Sequence, residues 1–111
     1  MKGLDKSDIE QLERNAEEAS NLLKAMSNER RLLILCHLAG GESSVGDLER
    51  RVGLSQSALS QHLAVLRDKN LVTTRREAQT IYYRLASREA EAIMGTLWDL
   101  YCGTGIESAA E

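Results

Sequence analysis

Residues 54–72, LSQSALSQHLAVLRDKNLV, decide how this chain is read. Leu59, Leu63 and Leu66 recur at helical spacing and form one apolar stripe, so a helix is expected from Gln56 to Lys69, capped by Ser55 and ended at Asn70. Gln56, Ser57, Ser60, Gln61 and Arg67 lie off that stripe. Hydroxyl and amide side chains at the front of a helix can be a plain solvent face. They can also approach base edges in a major groove, where Gln pairs with adenine and Ser donates or accepts. Ser55 likewise needs no role beyond its cap. The flanking segments weigh between the two readings.

Upstream, Ser44 and Asp47 form an S-x-x-D capping box that opens a short helix, Val45 to Val52, with Val45, Leu48 and Val52 on one face. Gly53 then permits a tight turn. Downstream come two alternating runs, LVTTRRE and TIYYRLA, rich in Val, Thr, Ile and Tyr and joined near Ala78 and Gln79. They predict a hairpin whose tip carries Arg75, Arg76 and Gln79. A short helix, a Gly turn and a second helix with a polar front is the layout of a helix-turn-helix over 45–69, and the hairpin over 71–86 makes it winged.

Charge supports a nucleic-acid partner despite a net charge of −3. Residues 50–88 hold eight basic side chains against two acidic ones, a balance of +6, which leaves six against fifteen, or −9, for the rest of the chain. Local charge attracts phosphates within a Debye length, so double-stranded DNA is the expected partner. A solvated surface that happens to be basic is the bland alternative.

The remaining segments are helical. Residues 7–26 open with Ser7 and Glu10 as a capping box and place Ile9, Leu12, Ala16, Ala19, Leu23 and Met26 at alternating spacings of three and four. Such a seam fits a monomer core or a dimer interface, and the small size of the chain favours the dimer. Asn28 to Ala39 is apolar almost all round after its first turn, as in a buried central helix stopped by Gly40 and Gly41. Ser87 caps a last helix, 88–102, with Ala90, Ile93, Met94, Leu97, Trp98 and Tyr101 on its apolar side and Gly103 at C′. Residues 104–111 are expected to fray. The whole is one mostly helical domain, 1–111, ordered α-α-α-α-β-β-α. No apolar run is long enough to span a bilayer and no secretory h-region opens the chain, so no membrane partner and a cytoplasmic location are expected.

The order of elements and the residues LSQSALSQHLAVLRDKNLVTTRREAQTIYYRL resemble the ArsR/SmtB family of small bacterial repressors, with ERRLLIL (Glu29 to Leu35) and SQHL-x-x-L (Ser60 to Leu66) fitting closely. The resemblance covers about Leu23 to Cys102. It implies a winged helix-turn-helix homodimer whose first and last helices form the interface and whose recognition helices enter successive major grooves of an inverted-repeat operator.

Many members of that family sense metals. The arsenic-type Cys-x-Cys segment reads VGDL here, and the zinc-type helix has no His from Ala86 to Cys102, leaving Glu89, Glu91 and Asp99. Carboxylates alone make a poor zinc site, so neither a metal nor a cofactor is expected. Cys36 and His37 are adjacent and point about 100° apart, and His62 within SQHL fits a packed or hydrogen-bonded role. Cys36 and Cys102 remain. Two unrelated thiols acting as small hydrophobes would satisfy the sequence by itself. However, LCHL and WDLYCG resemble the sulfide- and persulfide-responsive subgroup (the BigR, SqrR and HlyU types), which carries one cysteine on each of these two helices. The resemblance implies redox sensing, with release from DNA when a di- or polysulfide bridge joins Cys36 and Cys102 and reactive sulfur species as effector. The alternatives are a metal- or peroxide-responsive repressor and an anti-silencing activator of the HlyU type. A thiol enzyme lacks a CxxC, a phosphate loop or a Ser-His-Asp set, so no catalytic residue is expected. A protein-interaction module without DNA affinity is a further competing reading.

Overall fold

The computed structural model describes residues 3–103, and the fraying expected for 104–111 falls outside the described residues. Helix α3 (Glu29–Ala39) is the hub. Asn28 caps it, its side-chain oxygen accepting from the amides of Arg30 (2.9 Å) and Arg31 (3.0 Å). Beyond that turn Ile34 and Leu35 are wholly buried and Leu38 nearly so. The helix-turn-helix packs on them: α4 (Val45–Val52) contributes Leu48 and Val52, and α5 (Gln56–Asp68) contributes Leu59, Leu63 and Leu66. Ser44 and Ser55 cap these helices by accepting from Asp47 N and Ala58 N. Only half of the Ser44–Asp47 box forms, because the Asp47 carboxylate pairs with Arg50 instead. Gly53 ends α4 at φ 76°, a left-handed conformation that an L side chain occupies only with strain.

Strands β2 (Val72–Glu77) and β3 (Thr80–Leu85) form the hairpin, paired from Val72↔Leu85 to Glu77↔Thr80. The loop is therefore the two residues Ala78 and Gln79, with Ala78 at φ 57°. A third strand, β1 (Ser43–Ser44), pairs antiparallel with β3 and gives the order β1-β3-β2. Two residues carry no alternation, so nothing in the pattern announced this strand. Helix α6 (Arg88–Tyr101), capped by Ser87, buries Ala90 and leans Ile93 and Met94 on the core. Gly103 is required for another reason than positive φ: a Cβ there would collide with the carbonyl of Asp99. The architecture is a winged helix-turn-helix, mostly α with a hairpin wing.

One segment differs from the sequence reading. Residues 7–26 are not one helix opened by Ser7 and Glu10 but two, α1 (Lys6–Arg14) and α2 (Ala16–Met26), broken at Asn15. The N-cap is Asp5, which forms a reciprocal box with Asp8: Asp8 N donates to Asp5 Oδ1 (2.8 Å) and Asp5 N to Asp8 Oδ2 (3.2 Å). Asp caps as well as Ser, and the earlier box starts the helix. Asn15 breaks the continuity because its side chain competes for backbone, Nδ2 donating to the Gln11 carbonyl. Along the seam Met26 is core, Ala19 is half-buried, and Ile9, Leu12 and Leu23 stay exposed.

The Cα radius of gyration is 16.3 Å, against about 13 Å for a compact chain near this length. The excess fits a protomer with helices that lack a packing partner. Among the described residues no helix is long and apolar enough to cross a membrane.

Leu59→Ala removes a wholly buried side chain where α3 and α5 meet and should cost about 2–5 kcal/mol in urea unfolding. Gly53→Ala should cost roughly 1–2 kcal/mol through the left-handed turn.

Candidate nucleic-acid interface and thiol groove

The Leu59–Leu63–Leu66 stripe turns one side of α5 inward, so Gln56, Ser57, Ser60, Gln61 and Arg67 are all exposed on the other side, with Ser55 exposed at the cap. The oxygen of Ser55 is engaged with Ala58 N, whereas none of the other five makes a side-chain hydrogen bond among the described residues. A polar, unpartnered helix front without acidic side chains in its first turn is suited to base edges.

His62 sits on the flank of α5, half-buried, with Nδ1 3.4 Å from Nη1 of Arg31. A guanidinium can only donate, so this nitrogen is the acceptor of a neutral imidazole. Arg31 also clasps the end of α2, Nε donating to the Ala25 carbonyl (2.6 Å) and Nη2 to that of Lys24 (3.4 Å). One arginine thus joins α2, α3 and α5. The sequence shows Arg31 merely as one charge in a helix's first turn, and only folding brings it to His62, 31 residues away.

The hairpin separates residues that the sequence groups together. Side chains alternate along a strand, and Tyr83 is buried, so Arg76, two residues from Tyr83's partner Thr74, lies on the core-side face. Arg75 lies on the outer face with its partner Tyr82, its guanidinium carbon 4.4 Å from that ring's centroid. Its Nε and Nη2 donate to both carboxylate oxygens of Glu42 (2.8 and 2.9 Å) and Nη1 donates to Glu77 (2.9 Å). Arg75 and Arg76 are therefore not one free basic tip. Arg76, Arg67 and Gln79 are exposed and make no ion pair or side-chain hydrogen bond among the described residues. Hydrogen bonding from Arg75 holds the Glu42 carboxyl below its ordinary range.

Both cysteines are free and exposed, and both line one groove of about 880 Å³ between α3 and α6. Leu32, Leu33, Met94 and Leu97 make its apolar walls, with Trp98 and Tyr101 beside Cys102. Cys102 is the C-cap of α6, its amide donating to the Trp98 carbonyl at 2.7 Å. The apolar side of α6 packs only over its first half: Trp98, Leu100 and Tyr101 are 50%, 66% and 77% exposed. Among the described residues no three His, Cys, Asp or Glu side chains gather as a metal site.

Comparison with known proteins is consistent with this geometry. A family model described as "Bacterial regulatory protein, arsR family" matches residues 28–74. The "Transcriptional activator HlyU" of Vibrio cholerae is 56% identical over 85% of this chain and 87% of its own. The crystal structure of the transcriptional repressor BigR from Xylella fastidiosa superposes with TM-score 0.80 at 43% identity, over 84% of this chain and 95% of that one. A homodimeric winged helix-turn-helix DNA-binding domain from Mycobacterium bovis, a possible ArsR-family regulator, superposes with TM-score 0.69 at 29% identity, over 90% and 89%.

Burial first, then the charges of Arg31 and Arg30, depress the pKa of His62. The folded state therefore favours the neutral ring. The stability this contributes is complete above the unfolded-state pKa of about 6.5 and is lost as pH falls from there through the lowered folded value. His62→Gln should flatten the fall in melting temperature on going from pH 7.5 to 5.5, and an unchanged fall would refute the assignment.

Proposed function

The chain belongs to the arsR family of bacterial regulatory proteins, and on that premise we propose that it is a homodimeric, sulfur-responsive repressor. As a member of that family it is a DNA-binding transcriptional regulator, not an enzyme. In the proposed mechanism Ser55, Gln56, Ser57, Ser60 and Gln61 face the major groove of an inverted-repeat operator, and Arg67, Arg76 and Gln79 flank them toward the backbone. The dimer joins α1, α2 and α6. Its support is the row of exposed apolar residues on those helices, Ile9, Leu12, Leu23, Trp98, Leu100 and Tyr101, together with the homodimeric relative. Burying a large apolar side chain is worth about 1.5–3 kcal/mol, so six of them make a substantial interface.

The observation that carries the sensing proposal is that Cys36 and Cys102 line the same groove although 66 positions apart in sequence. The effector is a reactive sulfur species. One thiolate attacks the sulfane sulfur of a persulfide RSSH, releasing RSH and leaving a protein persulfide. The second thiolate attacks the first sulfur and expels hydrogen sulfide, which closes a disulfide. A second persulfide used before closure lengthens the bridge by one sulfur and releases a second RSH. The thiols are oxidised by two electrons and the sulfane sulfur is reduced. A trisulfide relaxes the limit of roughly 7 Å between Cα atoms that a direct disulfide imposes. The bridge ties α6 to α3, on which α5 rests, and changes the spacing of the two recognition helices. A swing from 99:1 to 1:99 in DNA competence requires about 5.5 kcal/mol of differential stabilisation.

The HlyU relative is by name an activator, which favours a second reading: the same DNA binding and the same thiols, used to displace a silencer rather than to block a polymerase. A promoter assay with and without a competing silencer separates the two.

Binding of reduced protein to promoter DNA, followed by anisotropy before and after a persulfide donor, tests the switch. Cys36→Ser and Cys102→Ser should each bind as tightly as the parent and resist release; equal release from both would refute it. Mass spectrometry should find two hydrogens lost, with one sulfur gained where the bridge is a trisulfide and none where it is a disulfide. Gln56→Ala, Ser57→Ala and Ser60→Ala should each cost about 1–3 kcal/mol of discrimination between operator and mismatched duplex.

A further inference from the structure

The outer face of the hairpin carries a contact that DNA reading alone does not require. Arg75 reaches from β2 across β3, over the Tyr82 ring, to Glu42 at the head of β1. Ser44 pairs with Tyr82 on one side of β3 and Arg75 pairs with it on the other, so the strap crosses all three strands. The fork is bidentate, and a second carboxylate, Glu77, takes the remaining amine. One guanidinium is therefore shared by two carboxylates, and with the charge of Arg84 also acting on Glu42 the cluster is balanced on a segment whose overall balance is basic.

We propose that Glu42 occupies on Arg75 the place of a DNA phosphate, and that duplex binding exchanges the one for the other. The proposal rests on the DNA-binding reading and adds to it an acidic residue that sets the strength of backbone contact at the wing. Carboxylate and phosphate present the same pair of oxygens to the guanidinium fork. Arg75's side chain is 48% exposed, so a phosphate can reach it without unfolding the hairpin. An exposed ion pair holds weakly in water, whereas a phosphate contact releases condensed counterions. The exchange therefore runs toward DNA at low salt and back toward Glu42 as salt rises. Glu42 lowers affinity for any duplex alike, which leaves recognition to the base-facing residues of α5 and keeps the complex releasable.

Because phosphate contacts are independent of sequence, the test needs no operator. Affinity of the full chain for a mixed-sequence 30-base-pair duplex is measured between 50 and 200 mM NaCl, with circular dichroism as the check on folding. Glu42→Gln should tighten binding at low salt and steepen the slope of log affinity against log salt by part of the roughly 0.9 that one phosphate contributes, the remainder being what Arg75→Gln removes from the parent. Arg75→Gln should bind more weakly than the parent with a shallower slope. In the Arg75→Gln background, Glu42→Gln should change the slope little, which a simple loss of negative charge would not produce. Glu13→Gln on α1, outside the helix-turn-helix and the hairpin, is the control for net charge. Weaker binding or an unchanged slope for Glu42→Gln, with the parent binding normally, would overturn the exchange and make the strap a wing brace. A parent that does not bind the duplex at all would bring down the DNA reading as well.

Discussion

Everything functional in this molecule hangs on the burial of α3. Ile34 and Leu35 are wholly enclosed, and the inward faces of α4, α5 and the hairpin close around them through Leu48, Leu59, Leu63, Leu66, Val72 and Tyr83. Close packing makes that hub stiff, so the polar front of α5 is held at a defined angle rather than presented on a loose helix. The same helix carries Cys36 on its outward side and Arg31 in its first turn. Thiol groove, clasp to α2 and support of α5 are thus three faces of one eleven-residue element.

The distribution of charge follows from what that hub leaves outside. An acidic chain can hold a polyanion because its basic side chains gather in 50–88, on the helix-turn-helix and wing. The folded molecule qualifies that count: Arg50 is paired to Asp47 and Arg75 is shared between Glu42 and Glu77, which leaves six of the eight, Arg51, Arg67, Lys69, Arg76, Arg84 and Arg88, exposed and without an ion pair among the described residues. The helix-turn-helix and wing are therefore somewhat less basic than their composition.

The apolar surface tells a parallel story at the other end. The helices α1, α2 and the second half of α6 expose large side chains that a monomer would bury if it could. The thiol groove runs along α6 beside this surface, so the proposed covalent tie between α3 and α6 would act next to the helices that the proposed dimer would use. In the proposed switch a bridge of one or two extra sulfurs is a small movement, but at such a junction it would change the angle between two whole recognition units.

Local signals carried most of the architecture. Caps at Ser44, Ser55 and Ser87, the Leu stripe of α5, the Gly53 turn and the alternation of the two strands are all short-range physics, and their elements formed where that physics put them. The seam in 7–26 was legible as apolar spacing, but the break at Asn15 was not, since a side chain competing with a helix's backbone looks like any polar residue on its wet face. Strand β1 was hidden because two residues have no period. Of the proposed sites, exposure of the polar front of α5 followed from the position of its stripe. The sharing of Arg75 with Glu42, the meeting of Arg31 with His62 and the common groove of Cys36 and Cys102 depended on tertiary structure alone. Each joins residues more than 30 positions apart, and no helical or strand period extends that far; only the closing of the core brings such groups within a few ångströms or into one groove.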